Sequence, residues 1–288
     1  MPVHPFAPIA AALLLAGPEA ALDAGLAARE AGAGRAAWAS GLLVGAPYRL
    51  SPLGEGGGPD ADPRFRLDAF DCVTLVETAI ALGNASRVEE AVRLLDDVRY
   101  DGPADFTHRN HYVEAQWVPA NLRKGWIAAV TRELAGDGAV AAEKRLTPEG
   151  WKAAERSGHV LPDLPAASRP LGTFWLDVVP LDALVALGPR IPEGTVLLVV
   201  RTDRPSRPYR VTHMGMVVVG PGGGRLIRHA SDVPGALRVR DEKLSAFAAR
   251  LSRQRSWPVV GVSLFAIRDN RERARELLSA APAPAGPR

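Results

Sequence analysis

A single cysteine at the predicted start of a buried helix is the feature that most constrains this chain. Cys72 is the only cysteine among 288 residues. It follows an extended polar stretch over 64–70, and apolar residues recur after it at helical spacing from Val73 to Leu82, which predicts a buried helix. A thiol in the first turn faces unpaired backbone N–H groups and the positive end of the helix dipole, both of which favour the thiolate. Cys72 is therefore a candidate nucleophile, with an inert buried cysteine as the alternative.

The composition is that of one globular protein. With 288 residues and 47% hydrophobic content, the chain can bury a large core, and a single catalytic domain is the simplest interpretation. The 35 Lys and Arg against 32 Asp and Glu give a net charge of +3, without a dense basic run, so we expect no nucleic-acid partner. One cysteine forms neither an internal disulfide nor a cysteine-rich zinc site, which leaves the redox compartment open.

The N-terminal segment resembles an export signal. Its apolar run has the length of a signal peptide and ends in small residues near Ala20 and Ala21, but no Lys or Arg precedes it. The run is too short to span a bilayer. We therefore predict a signal peptide over 1–24, a domain over 25–270, a disordered tail over 271–288, and a periplasmic or secreted protein. An apolar helix packed on the domain is the alternative for the N-terminus.

The first half of the chain is predicted to be helical and the second half to be a sheet. Helices are expected over 22–44, 72–82, 86–98 with a capping box at Ser86 and Glu89, 121–134, 181–187 and 242–251. Strands are expected over 173–179, 194–200, 211–219, 225–231 and 259–267. The glycine- and proline-rich stretch 47–59 predicts an irregular loop that leads to Cys72.

Two histidines lie on neighbouring strands of the predicted sheet. His213 and His229 flank the glycine-rich segment 220–224, which predicts a hairpin, although the register remains open. Side chains that share a face of paired strands come within about 5 Å of each other. Cys72 and the two histidines then supply a nucleophile, a base that takes the thiol proton, and a group that orients the base.

Other interpretations of these three residues are open. Each histidine alone could be a surface residue or a hydrogen-bonded core residue. A zinc site formed by Cys72, His213 and His229 is a weak alternative, because no HxH or CxxC pair anchors it. We expect no metal or organic cofactor.

Several motifs of the chain resemble those of a bacterial family. Residues 70–77, Phe-Asp-Cys-Val-Thr-Leu-Val-Glu, and residues 212–231, from Thr-His-Met-Gly to Arg-His-Ala-Ser, resemble the NlpC-type papain-like peptidoglycan hydrolases. The resemblance is closer to the N-acetylmuramoyl-L-alanine amidase-like branch, long known as a domain of unknown function. Its pattern includes Gly-x-Pro-Tyr, Ser-Pro-Leu-Gly-Glu and Arg-x-His-Tyr, which stand here at 45–48, 51–55 and 109–112.

The resemblance, which runs over about 45–267, implies a fold and a reaction. The fold is α+β and papain-like (NlpC-type), with an N-terminal helical half and a C-terminal curved antiparallel sheet. The implied roles are nucleophile for Cys72, base for His213, polar third member for His229, and oxyanion contact for Tyr48 with the Cys72 backbone N–H. The implied reaction is hydrolysis of an amide of peptidoglycan, most often the lactyl–L-Ala bond.

Three alternatives to this reaction remain. The same site could belong to a γ-D-glutamyl-diamino acid endopeptidase or to a related thiol acyltransferase of the superfamily. A catalytically silent wall-binding module is the alternative from a different class. In each case the expected partner is a peptidoglycan stem peptide or muropeptide, and the expected state is a monomer without an integral membrane segment.

One aromatic and polar segment is the candidate substrate-binding wall. Its residues that donate, accept or stack are Arg109, Asn110, His111, Tyr112 and Trp117. The arginine and the amide suit a stem-peptide carboxylate or sugar hydroxyls, and a purely structural loop is the alternative. Asp71 is a further candidate on the substrate side. Because a carboxylate in contact with the nucleophile would oppose thiolate formation, we interpret Asp71 chiefly as a helix cap.

Overall fold

The fold is built around one antiparallel sheet. The computed structural model describes residues 18–280, and in that part of the chain eight strands form a single sheet. The strands are β1 Ile127–Ala129, β2 Val140–Leu146, β3 Gly172–Pro180, β4 Thr195–Arg201, β5 Val211–Val219, β6 Arg225–Ser231, β7 Arg238–Lys243 and β8 Val259–Ile267. Their order across the sheet is β2-β3-β8-β4-β5-β6-β7, and β1 pairs with β8.

Helices cover both faces of this sheet. They are α1 Pro18–Ala27, α2 Ala33–Gly41, α3 Cys72–Asn84, α4 Val88–Arg99, α5 Val118–Lys124, α6 Thr131–Ala135, α7 Pro148–Arg156, α8 Leu181–Leu187, α9 Leu244–Ser252 and α10 Arg271–Ser279. A short π-helical turn, Val113–Trp117, runs directly into α5. The mixture of helices with an antiparallel sheet is the α+β class that the sequence predicts.

The first layer packs α3 against the sheet. Val76 and Ile80 of α3 belong to the same core as Met214 and Met216 of β5, and all four are almost fully buried. Burial of such side chains stabilises the fold by roughly 1.5–3 kcal/mol each. The other side of α3 approaches α2 closely at Gly83, where an added Cβ would lie 2.8 Å from that of Ala36. This packing fixes the position of the helix whose first residue is Cys72.

The second layer packs α8 and α9 on the opposite face. Leu197, Val199 and Val217 contribute to a core that also contains Phe247 of α9. Because β4 is buried on both faces, it is almost continuously apolar rather than alternating. The sheet therefore holds α3 on one face and Phe247 on the other, with β5 and β6 between them.

The predicted helix over 121–134 is wrong in its length. Helix α5 ends at Lys124 because Gly125 adopts a left-handed φ of 79° that terminates the helix. The chain then pairs with β8 as β1 and forms the short α6. Strands β2 and β7 were not predicted, since charged residues interrupt their apolar alternation: β2 reads Val-Ala-Ala-Glu-Lys-Arg-Leu and β7 Arg-Val-Arg-Asp-Glu-Lys.

The predicted capping box of α4 does not form. The backbone N–H of Ser86 donates to Glu90 Oε2 at 2.8 Å, and that of Val88 donates to Asp23 Oδ1 at 2.6 Å. Glu90 therefore takes the role expected of Glu89, and Asp23, a carboxylate of α1, caps α4 in place of the Ser86 hydroxyl. Long-range packing thus replaces the local motif.

The prediction of a disordered tail over 271–288 is wrong for residues 271–279. Residues 271–279 form α10, which Arg273 attaches to Asp97 through two hydrogen bonds of 2.7 Å. Arg93 also donates to the backbone carbonyl of Leu278 at 3.0 Å. Residues 281–288 lie outside the described part.

The N-terminal prediction falls largely outside the described residues. Residues 1–17 are not described, and α1 begins at Pro18. Leu22 and Leu26 are buried in the main core, so the packed domain begins before residue 25. None of the helices that the structure describes is long and apolar enough to cross a membrane.

Candidate active site

A cavity of about 440 Å³ brings Cys72 and His213 to one surface. Cys72 is the first residue of α3, and His213 lies near the start of β5. Mostly apolar and aromatic side chains line the remainder of the cavity: Leu50, Val73, His111, Val113, Tyr209, Val211, Thr212, Met214 and Trp257. A largely apolar cleft with a few polar groups is typical of a small-ligand or substrate site.

The start of α3 is rigidly capped. Asp71 is the N-cap, and its Oδ1 accepts from the Thr74 backbone N–H at 2.8 Å, while Thr74 Oγ1 accepts from the Asp71 N–H at 3.0 Å. The second oxygen, Oδ2, accepts from the backbone N–H of Ser51 at 3.1 Å. The carboxylate thus serves as the cap that the sequence predicted, and it ties the 47–59 loop to the start of α3 beside Cys72.

The two histidines are in direct contact. Nε2 of His213 lies 2.9 Å from Nδ1 of His229, and the rings meet edge to face at 84° with centroids 4.9 Å apart. Phe247 packs against both rings, with centroids 5.6 Å from His229 and 6.3 Å from His213. Gly215 permits this arrangement, because a Cβ there would lie 3.2 Å from the Cβ of His229.

A buried ion pair stands behind His229. Its Nε2 lies 3.3 Å from Oε2 of Glu242, without the alignment of a good hydrogen bond. Arg250 binds Glu242 through Nε at 3.1 Å and Nη2 at 2.8 Å. Sequence reasoning missed this pair because it placed residue 242 at the start of a surface helix, whereas Glu242 is a buried residue of β7.

Burial keeps the groups of the cavity neutral. It raises the pKa of Cys72 to about 12; Asp71 adds to the rise, and the Met214 backbone N–H opposes it. Cys72 retains some exposed surface toward the cavity, and protein surrounds it on its other sides. Burial and then His229 hold the pKa of His213 well below its usual 6.5. The position at the start of a helix was expected to favour the thiolate. Desolvation by burial outweighs that effect.

His229 is also neutral. Burial lowers its pKa to about 4, although Glu242 acts in the opposite direction. A neutral histidine carries one ring N–H, so one imidazole in the His213–His229 contact donates and the other accepts.

Tyr48 lies close to the thiol. Its backbone forms a bridge to Phe70, two residues before Cys72, and its N–H donates to Leu237 O at 3.0 Å. Burial, followed by the proximity of Cys72, raises the pKa of Tyr48 to about 12. The phenol therefore keeps its proton, although Tyr48 is not among the residues that line the cavity.

The predicted substrate-binding wall is divided by the structure. His111 alone of its five residues lines the cavity, where its Nε2 lies 2.6 Å from Phe106 O. Arg109 forms ion pairs with two carboxylates. Its Nη2 lies 2.6 Å from Glu55 Oε2 and 2.9 Å from Asp60 Oδ2, and its Nε also donates to Glu55. The Nε and Nη2 donors are therefore already engaged.

The other three members lie away from the cavity, which corrects their predicted placement. Trp117 is fully buried in the main core and donates from Nε1 to Glu77 Oε1 at 3.1 Å. Tyr112 is buried against Trp151, with ring centroids 5.1 Å apart. Asn110 borders a separate surface pocket. All three side chains are buried in the protein interior. This agrees with the alternative interpretation of the segment as a purely structural loop.

Trp257 and Tyr209 form the part of the cavity wall that sequence reasoning missed. Their rings lie 5.9 Å apart between centroids. Tyr209 precedes β5 and Trp257 precedes β8, which the folded sheet places on either side of β4, and no local pattern distinguishes the two residues from core aromatics. Among residues 18–280, no group of three His, Cys, Asp or Glu side chains is arranged to hold a metal ion.

Comparison with known proteins identifies the family. The profile of the N-acetylmuramoyl-L-alanine amidase-like (AmiA-like) family matches residues 38–252. The chain belongs to this family. The amidase-like match contains Cys72, Tyr48, His213 and His229, and it confirms the resemblance seen in the sequence motifs. A search of curated proteins finds no match.

Solved structures share the amidase-like fold. A protein from Legionella pneumophila str. Philadelphia 1, of the family DUF1460, has a TM-score of 0.68 and 22% identity over 82% of this chain and 89% of that chain. An N-acetylmuramoyl-L-alanine amidase from Bacteroides uniformis has a TM-score of 0.63 and 19% identity over 82% of this chain and 99% of that chain. At these identities the likeness establishes the common fold.

Proposed function

We propose that this protein is a thiol-dependent N-acetylmuramoyl-L-alanine amidase of peptidoglycan. One observation carries the proposal: Cys72, at the start of α3, shares a cavity with His213, whose far ring nitrogen is held by His229. Membership of the amidase-like family supports the substrate class. The arrangement of a helix-start cysteine facing a histidine on a sheet supports the papain-like, NlpC-type description of the fold.

The histidine contact determines which nitrogen acts as the base. If Nε2 of His213 donates its hydrogen to Nδ1 of His229, then Nδ1 of His213 keeps a free lone pair. His229 then carries its own hydrogen on Nε2, which faces Glu242. Nδ1 of His213 is therefore the atom that takes the thiol proton.

The proposed reaction has two stages. As His213 takes the proton, the Cys72 sulfur attacks the amide carbonyl, and the oxyanion that forms is stabilised by the Cys72 backbone N–H and the Tyr48 hydroxyl. His213 then protonates the departing amine, which leaves an acyl-thioester on Cys72. A water molecule, activated by His213, hydrolyses the thioester and returns the thiol.

The neutral resting state affects the timing of proton transfer. Because burial favours the neutral thiol and the neutral imidazole, the free enzyme would not hold a stable thiolate–imidazolium pair. Proton transfer would then accompany attack, as in serine hydrolases, and Glu242 behind His229 would stabilise the developing positive charge. We further propose that the protein acts as a monomer in the periplasm or outside the cell, where peptidoglycan is accessible.

Product analysis tests the proposed bond. Purified protein is incubated with sacculi, and the products are identified by mass spectrometry, with Cys72→Ala as the control. Release of stem peptides with a new N-terminal L-alanine supports the amidase. Cleavage after the γ-D-glutamyl residue instead identifies the endopeptidase, and binding to sacculi without any product at all identifies the silent wall-binding module.

A further inference from the structure

Three arginines surround one indole on the wall of the catalytic cavity. The guanidinium carbons of Arg201 and Arg204 each lie 5.3 Å from the centre of the Trp257 ring, and that of Arg207 lies 4.8 Å from it. Trp257 lines the cavity beside Tyr209. Cation–π contacts of this kind place three positive charges at the edge of the space that contains Cys72.

Neutral groups hold this arginine cluster in place. Trp257 is fixed by its Nε1, which donates to Thr202 O at 2.8 Å. Arg201 Nε donates to Thr212 Oγ1 at 2.7 Å, and Arg207 Nη1 donates to Tyr209 Oη at 3.1 Å. Thr212 and Tyr209 both line the cavity, whereas the three arginines lie behind this part of the wall and do not themselves line it.

The positive charge of the cluster is not balanced locally. In residues 18–280, none of Arg201, Arg204 and Arg207 has a carboxylate within 4.0 Å, and the adjacent Asp203 is 2.8 Å from Lys144 instead. Arg109 and Arg250, by contrast, each hold a carboxylate partner. Three guanidiniums around one ring repel one another, and an anion would relieve that repulsion.

A carboxylate is the anion that the proposed substrate would supply. Arginine binds carboxylates through two parallel N–H donors, and hydrogen bonds of this charged kind are the strong ones. Arg109, which the sequence suggested for this task, is occupied by Glu55 and Asp60. We propose that the cluster of Arg201, Arg204 and Arg207 around Trp257 is the subsite that binds a free carboxylate of the peptide substrate. This inference rests on the proposed function, because the peptide must extend from Cys72 to the cluster.

Direct binding tests the subsite without turnover. The Cys72→Ala protein is titrated by calorimetry with a muramoyl stem peptide that carries free carboxylates, and with the same peptide after those carboxylates are amidated. We expect the free acid to bind at least about tenfold more tightly, a difference of about 1.4 kcal/mol, because charge-assisted hydrogen bonds between arginine and carboxylate are the strong ones. The preference should shrink in 0.5 M NaCl.

A double variant locates the preference. Arg204→Gln with Arg207→Gln should abolish the discrimination while leaving the affinity for the amidated peptide nearly unchanged. Arg201 is kept, because its hydrogen bonds to Thr212 and Gln254 join separate segments. Arg190→Gln is the matched control, since Arg190 is exposed and, unlike Arg204 and Arg207, makes no contact with Trp257. Thermal unfolding verifies that each variant is folded.

The outcomes separate this inference from the proposed function. Equal affinity for the two peptides, or a preference that survives in the folded double variant, overturns the subsite. If the free acid is preferred through Arg204 and Arg207 but sacculi yield no product, the hydrolase assignment fails while the carboxylate subsite stands.

Discussion

Nε2 of His229 lies 3.3 Å from Oε2 of Glu242, so a carboxylate stands at the far end of the two-histidine contact. Glu242 is itself held by Arg250 through two hydrogen bonds. This geometry fixes the ring of His229, and through it the ring of His213, which shares the cavity with Cys72. We therefore expect Glu242 to act as a positioning residue for His229, without contact with the substrate.

Replacement of Glu242 by glutamine tests this role. The amide can still accept from Nε2 of His229 but carries no charge, so it stabilises a developing imidazolium less well. We expect Glu242→Gln to lower kcat by about tenfold, with little change in KM, because a nearby negative charge stabilises the imidazolium that develops in the transition state and tenfold corresponds to about 1.4 kcal/mol. Steady-state kinetics on a soluble muropeptide measures both constants.

The neighbouring Asp241 supplies the control. It lies on the same strand but binds Arg228 through two contacts of 2.8 Å and does not reach the histidines. Asp241→Asn should therefore leave kcat nearly unchanged. An equal loss in both variants, or a rise in KM alone for Glu242→Gln, would contradict the positioning role.

Local patterns explain what the sequence could predict. The helix that begins at Cys72 is visible in its apolar spacing, and its cap is visible as Asp71. The strands that carry His213 and His229 are visible as β-branched runs on either side of a glycine turn. Each of these features depends on fewer than about fifteen consecutive residues, which is the range over which periodicity is informative.

The unpredicted part of the site depends on distant pairings. Glu242 lies in a charged strand that becomes recognisable only when β7 pairs with β6. Tyr209 precedes β5 and Trp257 precedes β8, two strands that lie on either side of β4 only in the folded sheet. Trp117 shows the converse error, because an aromatic residue in a polar segment suggested a binding wall and proved to be core. Sequence patterning identifies residue types, whereas register and packing determine which of them meet.

The two histidines should not be equivalent in a kinetic assay. If His213 takes the proton, His213→Ala should lower kcat/KM by about 100- to 10,000-fold, approaching the loss in Cys72→Ala. His229→Ala should be less damaging, and His229→Asn less again, because an amide oxygen can accept the N–H of His213. An inactive His229→Asn beside a partly active His213→Ala would reverse the assigned roles.

Acid should destabilise the protein through its buried histidines. Burial lowers the pKa of His229 and of His111 to about 4, whereas an unfolded histidine titrates near 6.5. Between about pH 6.5 and 4 the unfolded chain therefore binds more protons, so the unfolding free energy falls as the pH falls. The slope is up to about 1.4 kcal/mol per pH unit for each such group.

Urea unfolding at pH 7, 6 and 5 measures this dependence. His111→Gln should show a shallower slope than the parent protein, and the difference between the two isolates His111 from carboxylates that titrate in the same range. His108→Gln is the control, because it removes an exposed histidine and shows the effect of losing a histidine that is not buried. Identical slopes for His111→Gln and the parent would show that His111 is not held neutral.

The packing of α1 limits where an export signal can be cleaved. Leu22 is buried in the main core, and Asp23 caps α4 through the N–H of Val88 at 2.6 Å. Cleavage after residue 24 would remove both, so we expect the mature N-terminus at or before Leu22. Mass spectrometry of the protein recovered from the producing cells locates it.

Asp23→Ala should lower the unfolding free energy by about 1 kcal/mol, the usual value of a helix cap.

Alkylation of Cys72 tests the neutral resting state of the cavity. Because burial raises the pKa of the thiol to about 12, the iodoacetamide rate should continue to rise with pH beyond 8.5 rather than level off near neutrality. Cys72 is the only cysteine, so the label reports on it alone. Asp71→Asn should accelerate labelling at a given pH, since Asp71 is the second cause of the raised pKa and an asparagine can still cap α3. A rate that is already maximal at pH 7 in the parent protein would show instead that His213 and the start of α3 hold a preformed thiolate against the cost of burial.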